Sequence, residues 1–374
     1  VSATDISDLG RLIGERSLAV VAGGGGVGKT TVSAALGLAA GVRLDGDVLI
    51  LTIDPARRLA SALGIDIAGN DAVAVRVPGV RKSGVYAAML DPGPAWDDMV
   101  SAEADPETAR RILSNPVYRR IADTFVHGND YAALGWLDRA IATERYRLII
   151  IDTPPSQNSL DFFDAPGRVS DFFSSSLLGW LTGGDGTFVG GAAAKTFAGL
   201  ADRLLGSQFF ADVIEFFQLM SVVVPSMVER TTAVANKLAG DDAAFLAVVS
   251  PSAEAIERLG LLAESLESRE ITFDAVVVSG VEPQVFWEPK VADVARRIVT
   301  DTKSPLSAGA TKLISPGADY VSERCDVAQA QRAAIATIAS STVSTIPRLV
   351  HSPTNVEGLL ALGEQLWSGG AHDS

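Results

Sequence analysis

Residues Gly23-Gly24-Gly25-Gly26-Val27-Gly28-Lys29-Thr30 satisfy the spacing G-x-x-x-x-G-K-[ST]. These residue types at this spacing can cradle a polyphosphate. The loop backbone must turn its N–H groups inward around the phosphates, and a Cβ would obstruct that approach or forbid the required dihedrals. Lys29 is placed to reach the β- and γ-phosphates, and the Thr30 hydroxyl to ligate Mg²⁺. The following helix adds the favourable field of its N-terminus. The expected nucleotide-binding residues are therefore Gly24, Gly25, Gly26, Val27, Gly28, Lys29, Thr30 and Thr31. A glycine-rich turn with an incidental lysine is the competing reading. The apolar run before the loop and the helical pattern after it favour the phosphate reading.

Two aspartates complete the chemistry. Val48-Leu49-Ile50-Leu51-Thr52-Ile53 runs into Asp54-Pro55-Ala56-Arg57-Arg58-Leu59. Leu148-Ile149-Ile150-Ile151 runs into Asp152-Thr153-Pro154-Pro155. Each aspartate follows an apolar strand pattern, at the strand edge where open α/β sheets bind ligands. Asp152 is expected to hold Mg²⁺ through water, and Asp54 to orient an attacking water beside the catalytic Lys29. Taken singly, either aspartate could equally start a loop or cap a helix.

Positioning these groups requires a parallel sheet. Short Val-, Ile- and Leu-rich runs occur at Leu18–Ala22, Val48–Ile53, Val85–Leu90, Leu148–Ile151, Phe245–Val249 and Ala275–Val278, with a weaker one at Ile346–Val350. They do not alternate with polar residues, which is the mark of strands buried on both faces. Helical patterns over Thr30–Ala40, Pro106–Thr143, Ala253–Leu266 and Val327–Ile338 separate them. Strands alternating with helices predict an α/β, P-loop NTPase-type fold with a mostly parallel central sheet flanked by helices. Residues 1–374 are read as one such domain. From 167 to 240 the rhythm breaks, and this stretch is read as a helical insertion subdomain. Residues 368–374 are read as a disordered tail.

Composition narrows the partners. Of 374 residues, 47 % are hydrophobic and 20 % charged, enough apolar surface for a sizeable core. The formal net charge of −14 disfavours nucleic acid as a partner. A single cysteine, Cys325, excludes a disulfide or a multi-cysteine metal site within one chain. No uninterrupted apolar stretch reaches the roughly 20 residues of a membrane span, and the reading is cytoplasmic. His127, His351 and His372 match no metal-ligand spacing, and Trp136 and Trp287 are read as packing anchors. Phe172, Phe173, Leu177, Leu178 and Trp180, followed by Phe209, Phe210, Phe216, Phe217, Leu219 and Met220, are either a groove for a client helix or an ordinary helical core.

Gly25-Gly26-Val27-Gly28-Lys29-Thr30-Thr31, Thr52-Ile53-Asp54-Pro55-Ala56 and Ile151-Asp152-Thr153-Pro154-Pro155-Ser156 resemble the arsenite-pump and tail-anchored-protein targeting ATPase family, dimeric ATPases with a deviant Walker A loop. Asn115-Pro116-Val117-Tyr118, the run Leu160 to Pro166, and Ser250-Pro251 support the same resemblance, closest to an actinobacterial "anion transporter ATPase" branch. The resemblance implies ATP and Mg²⁺ as cofactors, hydrolysis that drives a conformational switch, Asp54 as the switch I aspartate and Asp152 as the start of switch II. It also implies, as the alternative function, a nucleotide-gated chaperone or targeting factor for hydrophobic tail-anchored segments. Ser279 falls where adenine-binding members usually carry Asn. Three departures matter. The family's extra lysine, which reaches a partner's nucleotide, is replaced by Gly24. Cys325 alone cannot form an arsenite thiolate site, and no zinc-binding Cys-x-x-Cys is present. A homodimer, or a heterodimer with a lysine-bearing paralogue that supplies the cation, is the expected assembly.

Overall fold

The structure is a computed structural model that describes residues 7–53, 58–67, 69–78, 84–124, 128–154, 163–174, 207–288, 291, 293–294, 297, 308–338, 342–349 and 351–369. Its strands are β1 (Leu18–Gly23), β2 (Asp47–Thr52), β3 (Val73–Val75), β4 (Val85–Met89), β5 (Tyr146–Asp152), β6 (Ala243–Val249), β7 (Ala275–Val281) and β8 (Val343–Pro347). They form an eight-stranded sheet in the order β3-β4-β2-β5-β1-β6-β7-β8. All pairs are parallel except β3 with β4. The apolar runs do become the strands. The additional element, β3, has three residues and sits on the edge, too short to stand out as a hydrophobic run. The last strand begins three residues before the expected Ile346, and Pro347 closes it.

Strands β1 and β6 are buried at every position, because helices cover both faces of the sheet. On one face Ala19, Val21, Leu148, Ile150, Leu246 and Val248 pack beneath α1 (Asp8–Glu15), α2 (Lys29–Arg43) and α12 (Val356–Ser368). On the other, Val20, Leu51, Ile151 and Phe245 meet the larger helical layer. That layer contains α4 (Pro92–Glu103), α5 (Pro106–Ser114), α6 (Pro116–Thr124), α7 (Gly128–Ala142), α8 (Ala165–Ser174) and α9 (Ser207–Leu238). Each fully buried Val, Leu or Ile contributes about 1.5–3 kcal/mol, so the central strands carry much of the fold's stability. Helix α3 (Arg58–Leu63) covers the β2–β4 end. Helices α10 (Ala253–Glu267) and α11 (Ala308–Ile335) flank β6 and β7.

Helix α2 lies unusually close to its neighbours. A Cβ on Gly37 would meet the Ile50 side chain at 2.4 Å, and one on Gly363 of α12 would meet the Ala35 carbonyl oxygen at 2.0 Å. The helix that starts at Lys29 is therefore pressed between the sheet and α12, which fixes its N-terminus in space.

The helical stretch expected over Pro106–Thr143 is cut into α5, α6 and α7. Asp105 caps α5, accepting from the N–H groups of Glu107 and Thr108, with Pro106 in the first turn. Asn115 repeats the device: its Oδ1 accepts from Val117 N at 2.9 Å, and its Nδ2 donates to the Asp212 carbonyl of α9 at 3.0 Å. This buried amide thus ties the α5–α6 corner to the long helix. Asn115→Ala is expected to cost about 2–3 kcal/mol, the sum of a lost cap and a lost hydrogen bond to α9. Asn115→Asp should keep the cap and recover part of the loss, and urea unfolding measures both.

Of the stretch read as a helical insertion, α8 and α9 are described and 175–206 lies outside the described residues. Ala211–Leu238 of α9 is long and apolar enough, by length and composition, to cross a membrane. Phe216, Met220, Val223 and Met227 nonetheless face the protein core. Pro316 lies inside α11, which begins well before the expected Val327 and ends at Ile335 rather than Ile338. Ser368 closes α12, Gly369 caps it in the left-handed conformation, and 370–374 lie outside the described residues.

Candidate functional site

Strand β1 delivers the loop. At its last residue, Gly23, φ is +147°, and a Cβ would meet the Val248 carbonyl oxygen of β6 at 2.1 Å. Only glycine lets the chain leave the sheet at this point. Gly24, Gly25 and Gly26 are exposed, so the loop opens to solvent, while Val27 rests against the core. Gly28 takes φ +97° and caps α2 without a side chain. Its left-handed backbone swings the chain into the helix, whose first-turn N–H groups have no acceptor within the helix itself.

Lys29 is 6 % exposed, and its ammonium folds back over the loop, donating to the carbonyls of Gly23 and Gly24 at 2.8 Å each. Thr30 Oγ1 donates to Asp152 Oδ2 at 2.7 Å. Thr52 Oγ1, from the end of β2, donates to the same oxygen at 3.0 Å. Asp152 is fully buried at the end of β5, between β1 and β2 in the sheet. Thr153 locks the turn beyond it, its hydroxyl donating to the Val21 carbonyl at 2.8 Å. A loop that can wrap phosphate thus has, at its helical end, a hydroxyl and a carboxylate already in contact. That is the donor set a magnesium ion shared with phosphate oxygens requires.

Of the expected site residues, Gly24 through Thr31, together with Asp152, come to one edge of the sheet. Asp54 lies outside the described residues. Ile53, just before it, donates its N–H to the Asp152 carbonyl at 3.1 Å. Thr52 was not singled out from sequence. Its signal was a polar residue ending an apolar strand one step before the Ile53-Asp54 pair. On the opposite flank of the loop, Ser279 Oγ of β7 lies 3.5 Å from the position a Gly28 Cβ would take.

The aromatic cluster resolves in its described part. Phe216 and Phe217 are buried; Phe172 and Phe173 pack edge-on against each other, and both rings pack against Phe217. Tyr118 lies tilted against Phe216, ring centroids 6.4 Å apart, and burial together with Asp97, which accepts a hydrogen bond from its hydroxyl, pushes its ionisation far upward. These rings form core. Leu177, Leu178 and Trp180 lie outside the described residues, as do the side chain of Phe210 and His127 and His372. Trp136 is a packing anchor, buried with its indole N–H on the Asn70 carbonyl at 3.0 Å. His351 is exposed.

A parallel sheet that feeds a glycine loop and lysine-threonine helix from one strand, with an aspartate on the adjacent strand, defines a P-loop NTPase fold. The chain belongs to the Anion-transporting ATPase family, whose model matches residues 17–297. It is 30 % identical to "ATPase get3" of Schizosaccharomyces pombe over 146 residues, 39 % of this chain and 42 % of that protein. It is 27 % identical to "ATPase GET3" of Podospora anserina over 192 residues, 48 % of this chain and 55 % of that protein. The chain spans about half the length of the curated relatives it matches.

Proposed function

We propose that this chain binds and hydrolyses ATP with Mg²⁺ as a subunit of a dimer, its nucleotide state driving a conformational change, and that its catalytic site is completed by a lysine from a different subunit. The contact of Thr30 with Asp152 beneath the glycine loop carries the reading, because it brings a magnesium donor set to the phosphate loop. The loop N–H groups would bind phosphate oxygens, and Lys29 would exchange the Gly23 and Gly24 carbonyls for the β- and γ-phosphates. Thr30 would ligate Mg²⁺ directly and Asp152 through water. When bound, the ion neutralises charge on the phosphates. Asp54 would orient the attacking water. Residues 1–374 act as one domain in this reading, with 167–240 as a helical subdomain, and the setting is the cytoplasm.

The different-subunit part follows from Gly24. Its backbone φ is not left-handed, and a Cβ there would meet only Val27 Cγ1, at an ordinary 3.8 Å. A lysine therefore fits where the related ATPases carry one. Gly24→Lys is expected to raise ATP turnover of the isolated protein at least about tenfold, as mobile cations supplied to phosphoryl transfer do. Asp54→Asn should retain ATP binding and lose turnover. Unchanged turnover in Gly24→Lys would sink the idea of a lysine supplied by another subunit. Unchanged turnover in Asp54→Asn would remove that aspartate from catalysis.

A further inference from the structure

We infer that Glu282 is a positioning residue for the nucleoside end of the site, holding Ser279 and Gly280 against the phosphate loop through an anchor on α11. The inference rests on the nucleotide reading above. Its starting point is direction. Thr30 and Asp152 lie on the β5 side of β1, so the magnesium and terminal phosphate belong there. The rest of a nucleoside triphosphate must then leave the loop on the other side, over β6 and β7. Ser279 stands on that side, 3.5 Å from the Cβ position of Gly28.

The segment that carries Ser279 is irregular. The β7–β8 register shifts between Ser279 and Val281, and Gly280 takes φ +86°. A strand end that departs from its ladder needs other partners to keep one conformation. Glu282 supplies them. Its N–H donates to Gln331 Oε1 of α11 at 2.8 Å. Its carboxylate, in a residue only 3 % exposed, accepts from Arg324 Nε of α11 at 2.7 Å, and the Arg348 guanidinium lies 3.7 Å away. Arg348 N donates to the Val281 carbonyl at 2.7 Å, closing the cluster from the β8 side. A buried carboxylate is tolerated only with such pairing. The same pairing makes the β7 end rigid, and so sets where Ser279 meets the nucleoside. No sequence motif marks Glu282.

The test compares two ligands, MgATP and Mg-tripolyphosphate, by titration calorimetry on the full chain. Tripolyphosphate carries the phosphates and no nucleoside. Glu282→Gln is expected to weaken ATP about tenfold, the loss of one charge-assisted anchor, while tripolyphosphate affinity stays unchanged. Glu282→Asp should recover part of the ATP affinity. Gln331→Leu removes only the backbone anchor and should show the same ATP-selective loss, which keeps the test informative if Glu282→Gln folds poorly. Equal weakening of both ligands, or no change in either, overturns the positioning role. A wild-type protein that binds neither ligand overturns the nucleotide site itself, so the two failures are distinguishable.

Discussion

Lys29→Ala is expected to lower ATP affinity about 100-fold while leaving the fold intact. A charge-assisted hydrogen bond contributes about 1.5–3 kcal/mol, which is about 10- to 100-fold in affinity, and the ammonium is placed to make more than one to phosphate oxygens. Of the two carbonyls its ammonium bonds, that of Gly24 lies in the exposed loop, so the substitution is expected to disturb the loop more than the sheet. The backbone N–H groups and the end of α2 remain, so weak binding should persist. Lys29→Arg should not restore the affinity, because a planar fork is bulkier than the compact ammonium that fits over Gly23 and Gly24. Calorimetry with MgATP measures the change. Wild-type affinity in Lys29→Ala would falsify the phosphate-loop assignment.

The second large effect is expected one residue before the exposed part of the loop. Gly23→Ala should destabilise the protein by about 4 kcal/mol, combining a backbone strained at positive φ with an overpacked contact, each about 1–3 kcal/mol. The offending neighbour is the Val248 carbonyl of a central strand, which cannot move without breaking the β1–β6 ladder. Gly24→Ala, its immediate neighbour, should stay within about 1 kcal/mol of wild type, because that position is open. The contrast between two adjacent glycines, read from thermal or urea unfolding, separates a glycine kept for geometry from one that has merely lost a side chain. An equal effect at both positions would contradict the close approach of β1 to β6.

Much of this architecture was legible in the residues. Parallel strands buried on both faces must be continuously apolar, and Leu18–Ala22 or Leu148–Ile151 could hardly be anything else. The phosphate loop announces itself because its glycines, lysine and threonine are demanded by one geometry. Other elements gave no such signal. The pairing of Thr52 and Thr30 on one oxygen of Asp152 joins two strand ends and the first turn of a helix, and no local pattern encodes that. Helix α1 was not foreseen, since its capping Ser7 and its partner Trp367 lie at opposite ends of the chain. Helix α11 runs through Pro316, a residue type that ordinarily interrupts helices, so the pattern over Val327–Ile338 marks only its C-terminal part. Glu282 was invisible for a related reason: a buried carboxylate is recognisable only once Arg324 and Gln331 are seen beside it.

The packing of Gly363 against the Ala35 carbonyl has a consequence for the order in which the protein is made. Helix α2, which begins with Lys29, is synthesised before α12, the helix that covers its outer side. Until α12 leaves the ribosome, Leu36 and Ala39 have no cover on that side, and the core around α2 cannot close. Early residues thus wait on later ones to complete the packing of the helix that carries Lys29.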